Sequence, residues 1–302
     1  MKKFLFFCLI ICLLIPSLNA FAITPIDVTH PASLTVFYQK DNLGFQGLEI
    51  KTFRIAEVFE DGTYKLTAPF DKYPVNIYGI SSQTEWKNIC LTLSSFAIAD
   101  ALSPSYTTQT DVSGKASFES IQTGMYLTLG VSKESSDMII SFESFITLVP
   151  YPSEDGNHEY NVKAYPKPEI IIPTPEKKTH KILKQWKDTG YIDKRPENVY
   201  VDVYKSGEFA FTQTLNSENN WSYTWESEVG IIWTAVERQI PAEYTVTVTK
   251  NGDTIILTNV YDGKEPEPGA PGDDGVIYRS IILMCLSGAV LVILSMKLKR
   301  SE

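Results

Sequence analysis

The sequence predicts a mainly β protein built from two tandem sandwich domains. Three observations support this fold class: short runs of alternating apolar and polar residues, turn-forming dipeptides between them, and two proline clusters that divide the chain. The alternation is plain at Val199–Val203 and Tyr244–Val248, and Asn251-Gly252 is a typical hairpin turn. A length of 302 residues suits two modest domains plus terminal segments.

The N-terminus has the pattern of a secretory signal peptide. Basic Met1-Lys2-Lys3 precedes an apolar run from Phe4 to Ile15, and the small-residue site Ala20-Phe21-Ala22 follows. This pattern predicts a signal peptide over residues 1–22. The alternative is an uncleaved membrane anchor, for which the apolar run is short.

The C-terminus predicts a membrane anchor. Residues 277–296 are mostly apolar and long enough to cross a bilayer, and residues 297–302 form a basic tail that should stay cytoplasmic. With an export signal at one end and this span at the other, the residues between them should face outward. We therefore expect an exported protein at the cell surface, anchored in the plasma membrane.

Prolines mark the expected domain boundaries between these two ends. They divide the chain into a first domain over residues 24–167, a proline-rich linker over 168–178, a second domain over 179–262 and a Pro/Gly spacer over 263–275. A helix should interrupt the first domain, because Ser82 and Glu85 form a capping box. Apolar residues follow the box at helical spacing, namely Trp86, Ile89, Cys90, Leu93 and Phe96.

Composition excludes several classes of function. The 27 basic against 36 acidic residues give a net charge of −9, which argues against nucleic-acid binding. Three of the four cysteines lie in the terminal segments, so Cys90 stands alone in the exported part and no internal disulfide is expected. The three histidines, His30, His158 and His180, lack metal-ligand spacing, and no phosphate loop or nucleophile elbow is present. We therefore expect no cofactor, no metal and no enzyme with turnover.

Five short blocks of the second domain carry a family resemblance. In chain order they are Lys184–Asp188, Lys194–Val199, Asn219–Tyr223, Trp233–Glu237 and Leu257–Tyr261. Together they resemble a collagen-adhesin B-type (Cna-B) domain, which implies an Ig-like β-sandwich. Trp233 departs from the family pattern, in which tyrosine is usual.

Three polar residues of these blocks stand where strand periodicity places inward-facing side chains. Lys184, Glu237 and Asn259 each alternate with apolar neighbours, so an unpaired charge there would be costly. The resemblance implies that Lys184 and Asn259 join in a spontaneous intramolecular isopeptide bond, with Glu237 polarising the amide carbonyl and shuttling protons. A plain buried salt bridge is the alternative. Lys187 is the competing lysine, but it falls on the outward face.

The first domain resembles the N-terminal domain of Gram-positive pilin subunits. The resemblance rests on the stretches Ser33–Val36, Tyr64–Thr67, Asp71–Val75, Thr110–Lys115 and Ile121–Leu127. Isopeptide-forming relatives carry a glutamate after the last stretch, where this chain has Thr128, Leu129 and Gly130. We therefore expect no isopeptide bond in this domain.

The end of the first domain resembles the pilin motif whose lysine is joined to the next subunit by a sortase. Val162, Tyr165, Pro166 and Lys167 match the motif, while His158 replaces its tryptophan and Ala164 replaces a valine. The resemblance implies Lys167 as the acceptor; an ordinary linker lysine is the alternative.

The resemblance favours a pilus subunit whose partners are other pilus or surface subunits and a sortase. The alternative is a membrane-retained adhesin that binds a host matrix protein. Wall-sorted relatives carry Leu-Pro-x-Thr-Gly before the membrane span, where this chain has Pro268–Asp274 without that motif. The sequence thus leaves open whether the chain passes from the membrane to the cell wall.

Overall fold

The computed structural model describes residues 24–135, 137–153, 156–174 and 176–262. The predicted signal peptide, spacer, membrane span and cytoplasmic tail lie outside these residues. Within the described ranges, no helix combines the length and apolarity that a membrane crossing requires.

The first part of the chain is mainly β, as the sequence predicts, and carries the one α-helix of the described residues. Its strands are β1 Ala32–Phe37, β2 Gln39–Lys40, β3 Leu43–Gly44, β4 Glu49–Val58, β5 Tyr64–Leu66, β6 Tyr106–Gln109, β7 Lys115–Ile121, β8 Gly124–Thr128, β9 Val131–Glu134, β10 Ile139–Phe142, β11 Phe145–Val149, β12 Tyr151–Pro152, β13 His158–Glu159, β14 Asn161–Ala164 and β15 Pro168–Ile171. The helix α1 spans Gln83–Ala99, and a 3-10 turn spans Phe70–Lys72.

Three sheets make up most of this first part. Their strand orders are β14-β1-β7, β11-β8-β4-β5 and β15-β10-β9, with β6 also pairing with β4. The first strand β1 runs parallel to β14, near the end of the predicted domain. Apolar side chains from the β14-β1-β7 sheet and from the sheet that contains β4 and β8 meet in one cluster that includes Leu34, Ile50, Phe118 and Tyr126.

Helix α1 begins at the predicted capping box. The Ser82 hydroxyl accepts from the Glu85 backbone N–H at 3.2 Å, and the Glu85 carboxylate accepts from the Ser82 N–H at 3.0 Å. The predicted apolar stripe, from Trp86 to Phe96, is buried. Both local predictions are confirmed.

The second part of the chain is a two-sheet sandwich. Its strands are β16 Lys177–Lys187, β17 Val199–Lys205, β18 Glu208–Leu215, β19 Ser222–Glu228, β20 Trp233–Arg238, β21 Tyr244–Asn251 and β22 Thr254–Tyr261, with a 3-10 turn at Ile192–Lys194. The sheets have the orders β19-β16-β22-β21 and β18-β17-β20. The first and last strands, β16 and β22, are parallel neighbours. The predicted turn at Asn251-Gly252 joins β21 to β22, and Gly252 has the positive φ of 56° that favours glycine.

The predicted linker contributes to strands on both sides. Residues 168–171 form β15, which pairs antiparallel with β10. Strand β16 begins at Lys177, still within the predicted linker. Regular pairing therefore leaves only residues 172–176 between the last strand of the first part and the first strand of the second.

Candidate isopeptide site

The structure brings the three predicted polar residues together inside the second sandwich. Lys184 lies on β16 and Asn259 on the adjacent β22, while Glu237 reaches them from β20 in the opposite sheet. Their exposed fractions are 4%, 0% and 2%, respectively. All three side chains are thus withdrawn from water.

The carboxyl group of Glu237 connects the other two residues. The Asn259 Nδ2 group donates to Glu237 Oε1 at 2.7 Å, and Lys184 Nζ lies 3.5 Å from Glu237 Oε2. Lys184 Nζ also donates to the backbone carbonyls of Gln185 at 3.0 Å and Leu257 at 3.5 Å. One carboxyl group therefore contacts both the amine and the amide nitrogen.

Two buried oxygens of the site accept no hydrogen bond from the described residues. They are Glu237 Oε2, which is nevertheless ion-paired with Lys184, and Asn259 Oδ1. A buried polar atom without a partner is rare and costly, because it loses water without gaining a protein contact.

The orientation of the amide differs from the expected one. Polarisation of the amide carbonyl by Glu237 requires Asn259 Oδ1 at the carboxyl group, whereas the structure places Nδ2 there. Glu237 is therefore positioned against the nitrogen that would leave. This geometry suits proton delivery to the leaving group better than activation of the carbonyl.

Burial shifts both ionisable groups toward their neutral forms. Desolvation lowers the pKa of Lys184 to about 8, against the attraction of Glu237, which acts to raise it. Desolvation likewise raises the pKa of Glu237, although Lys184 opposes the shift. A neutral lysine is the nucleophilic form, so the interior favours the chemistry that the sequence predicts.

Residues beyond the predicted three complete the surroundings of Lys184. Its ammonium lies 3.9 Å from the centre of the Trp186 ring. The Arg195 guanidinium also lies over that ring, at 5.4 Å, and its Nε donates to Asp188 at 2.6 Å. Asp188 is buried and also accepts from the Tyr244 hydroxyl at 3.1 Å.

Asp188 and Arg195 fall within two of the family-like blocks, but the sequence pattern predicted no role for either residue. The signal that could have found them is an acidic residue directly after the Lys184 strand, in a domain with few buried charges. Its arginine partner lies in a loop, where no periodicity predicts contacts.

Lys187 and the first domain lack the features of this site. Lys187 is exposed, as the outward-face prediction requires.

In the first domain the parallel strands β1 and β14 are joined by a hydrogen bond of 2.9 Å from Ser33 Oγ to Asn161 Oδ1. Across the described part of residues 24–167, every buried polar or charged residue is serine or threonine.

The candidate acceptor Lys167 is exposed in the short segment between β14 and β15. Two features hold the segment: Val162 is buried in β14, and the Tyr165 ring stacks on Phe37 with centroids 4.9 Å apart. His158, at the position of the motif's tryptophan, has its Nε2 2.6 Å from the Thr24 carbonyl oxygen. The amine is thus presented on a short, anchored segment.

No metal site accompanies these groups in the part of the chain that the structure covers. No three or more His, Cys, Asp or Glu side chains there are grouped so as to hold an ion.

The fold and the buried trio define the class of the second domain: a sandwich whose first and last strands are parallel and hold a lysine and an asparagine beside a shared carboxyl group. Residues 180–260 match the family model of the Cna protein B-type domain. The match is confined to this part of the chain, which therefore resembles a Cna-B domain.

The chain also resembles named proteins. A 102-residue region is 33% identical to the collagen adhesin of Staphylococcus aureus and covers 31% of this chain, but only 9% of the adhesin's length. A crystal structure of a single B repeat unit of the collagen-binding surface protein of S. aureus aligns with 77% of this chain and 99% of its own, at 14% identity and a TM-score of 0.27. The full-length major pilin SpaD from Corynebacterium diphtheriae aligns over 78% and 66%, at 16% identity and a TM-score of 0.30.

Proposed function

We propose that this chain is a structural cell-surface protein, a pilus subunit, whose second domain forms an isopeptide bond between Lys184 and Asn259. The observation that carries the bond is the buried contact of Glu237 with both partners. The pilus role is supported by the resemblance of the first domain to pilins and by the exposed Lys167 on its anchored segment.

The reaction balances without any co-reactant. The neutral amine of Lys184 attacks Cγ of Asn259 while Glu237 is protonated. The new Cγ–Nζ bond replaces the Cγ–Nδ2 bond: Glu237 Oε1 gives its proton to Nδ2, which leaves as ammonia, and Glu237 Oε2 takes the proton that Nζ loses on becoming an amide N–H, so the carboxyl group ends protonated. Each chain reacts once, so the protein is its own substrate.

A covalent bond at this position would suit a load-bearing role. Strands β16 and β22 are the first and last of the domain and lie side by side. A load that enters near Lys167 and leaves at the C-terminal end of β22 would pass through the bond between Lys184 and Asn259. The bond would prevent the two strands from separating where no disulfide is available.

The bond is tested by Glu237→Gln, which keeps the shape of the side chain but removes its proton-transfer role. We expect proteolytic digests of this variant to contain separate peptides for Lys184 and Asn259, whereas the parent chain gives one branched peptide. Lys187→Gln is the matched control and should leave the branched peptide intact. A branched peptide at full yield in Glu237→Gln would contradict the proposed mechanism.

Polymerisation is tested on the native cell wall. A ladder of high-mass species on a denaturing gel that disappears with Lys167→Ala supports the pilus role. Lys163→Ala is the control, because Lys163 is also exposed and lies on the adjacent β14.

A membrane-retained adhesin is the second candidate, favoured by the absence of Leu-Pro-x-Thr-Gly from the sequence. It predicts a single monomer band in the membrane fraction, with or without Lys167.

A further inference from the structure

The two domains share an apolar core on one side of the second sandwich. Strands β20 and β21 are edge strands of its two sheets, and helix α1 of the first domain packs against both. Leu91 of the helix packs against the core of the second domain. Conversely, Val236 on β20 and Val246 on β21 belong to the core cluster of the first domain. The helix therefore closes the side of the sandwich at which β20 and β21 lie.

The first domain also satisfies the backbone of the β21 edge. The Val246 N–H donates to the Pro74 carbonyl at 2.8 Å, and the Val248 N–H donates to the Thr92 hydroxyl at 2.8 Å. Edge strands normally present such groups to water or to another chain. Here a loop and a helix of the same chain occupy that position.

A charged contact fixes the end of the helix to β20. Arg238 Nη1 donates to Asp100 at 2.6 Å, and its Nη2 donates to the Ala99 carbonyl at 3.4 Å. The Tyr204 hydroxyl donates to the same carbonyl at 3.3 Å. A cation at a helix C-terminus is favourable, because it offsets the helix dipole and pairs with terminal carbonyls.

These contacts flank two of the three reacting residues. Glu237 lies between Val236 and Arg238, both of which contact the first domain. Asn259 lies directly across from Val246 in the β21–β22 pairing. We propose that docking of helix α1 completes the reaction site, so that the second domain forms its isopeptide bond efficiently only when the first domain is in place.

This inference rests on the proposed isopeptide reaction and adds a condition to it. Displacing the helix would open the β20 and β21 edges to water beside Glu237. The other charged groups near Lys184 are Asp188, after β16, and Arg195, whose opposite charges pair with each other. Because these two charges offset each other, burial is the main reason that the pKa of Lys184 is low. Water entering through the open edge would remove that burial and return the pKa of Lys184 toward its ordinary value.

The test uses the full chain carrying Leu91→Asp, which places a charge in the shared core. Thr84→Asp is the matched control, because it adds the same group to an exposed position of the same helix. The chains are made by cell-free synthesis, and the branched peptide is measured over time. A rise in the pKa of Lys184 from about 8 to about 9 would slow formation about tenfold at pH 7, and a return to 10.5 about 300-fold.

Two further measurements separate a site effect from loss of folding. Tryptophan fluorescence reports the second domain, which holds four of the five tryptophans. Thr92→Val keeps the size of the side chain but removes the acceptor for Val248, and should slow the reaction in the same direction. In Leu91→Asp, the rising limb of the rate against pH should move to higher pH; a purely structural loss would lower the rate without moving it.

The outcomes distinguish the two proposals. If the unaltered chain forms no branched peptide, the proposed reaction fails. If it forms the peptide and both Leu91→Asp and Thr92→Val form it equally fast, the reaction stands and the docking proposal is overturned.

Discussion

Removing the charged pair at the reaction site should lower stability by an amount set mainly by the lost cross-link. Consider the double variant Lys184→Met with Glu237→Gln, which cannot form the bond and leaves no buried charge unpaired. A bond between Lys184 and Asn259 closes a loop of about 76 residues, for which the chain-entropy relation gives about 4.5 kcal/mol. Replacing a buried ion pair by uncharged groups is itself often neutral.

The loss should be visible in thermal unfolding. Because the two domains share a core, we treat them as one cooperative unit, for which 1 kcal/mol shifts Tm by about 2–4 °C. The double variant should therefore melt about 9–18 °C below the parent chain by calorimetry. The single variant Glu237→Gln should melt lower still, because it leaves Lys184 buried without its carboxylate. A double variant that melts within about 3 °C of the parent would refute the cross-link as a source of stability.

The remaining predictions concern protonation and burial. The isopeptide bond should form faster as the pH rises from 6 toward 8, because burial lowers the pKa of Lys184 to about 8 and only the neutral amine attacks. Timed proteolytic digests across this pH range measure the rate of bond formation. Partial burial opposes ionisation of Asp100, but hydrogen bonds from Tyr73, Arg238 and Lys72 outweigh it and lower the pKa of Asp100 to about 2. The ionised carboxylate therefore stabilises the fold above the ordinary pKa of 3.8, and this stabilisation is lost as the pH falls toward 2. Asp100→Asn should therefore cost less than about 2 kcal/mol at pH 7 and flatten the acid limb of a denaturation series. Burial raises the pKa of Cys90, so iodoacetamide should label it only after denaturation.

Local patterns in the sequence predicted the elements well. The capping box at Ser82 started the helix, and the Asn251-Gly252 turn joined two strands, because each pattern acts through hydrogen bonds and dihedrals of adjacent residues. Period-two alternation also placed Lys184, Glu237 and Asn259 inside the sandwich. The candidate site could thus be assembled from the second domain alone.

Contacts between distant segments could not be read in this way. The apolar stripe of helix α1 predicted one buried face, but not that Leu91, outside the stripe, would enter the core of the other domain. Nothing in the linker composition predicted that residues 168–171 would pair with β10. The orientation of the Asn259 amide depends on hydrogen bonds across two sheets, which strand periodicity does not specify.

The central claim is a covalent bond between two particular side chains, and tandem mass spectrometry of the parent chain tests it most directly. We predict a branched peptide that joins Lys184 to residue 259 and weighs about 17 Da less than the two separate peptides, since one ammonia leaves when the amine displaces it. Recovery of an unmodified Lys184 peptide and an intact Asn259 peptide at full yield would contradict the account.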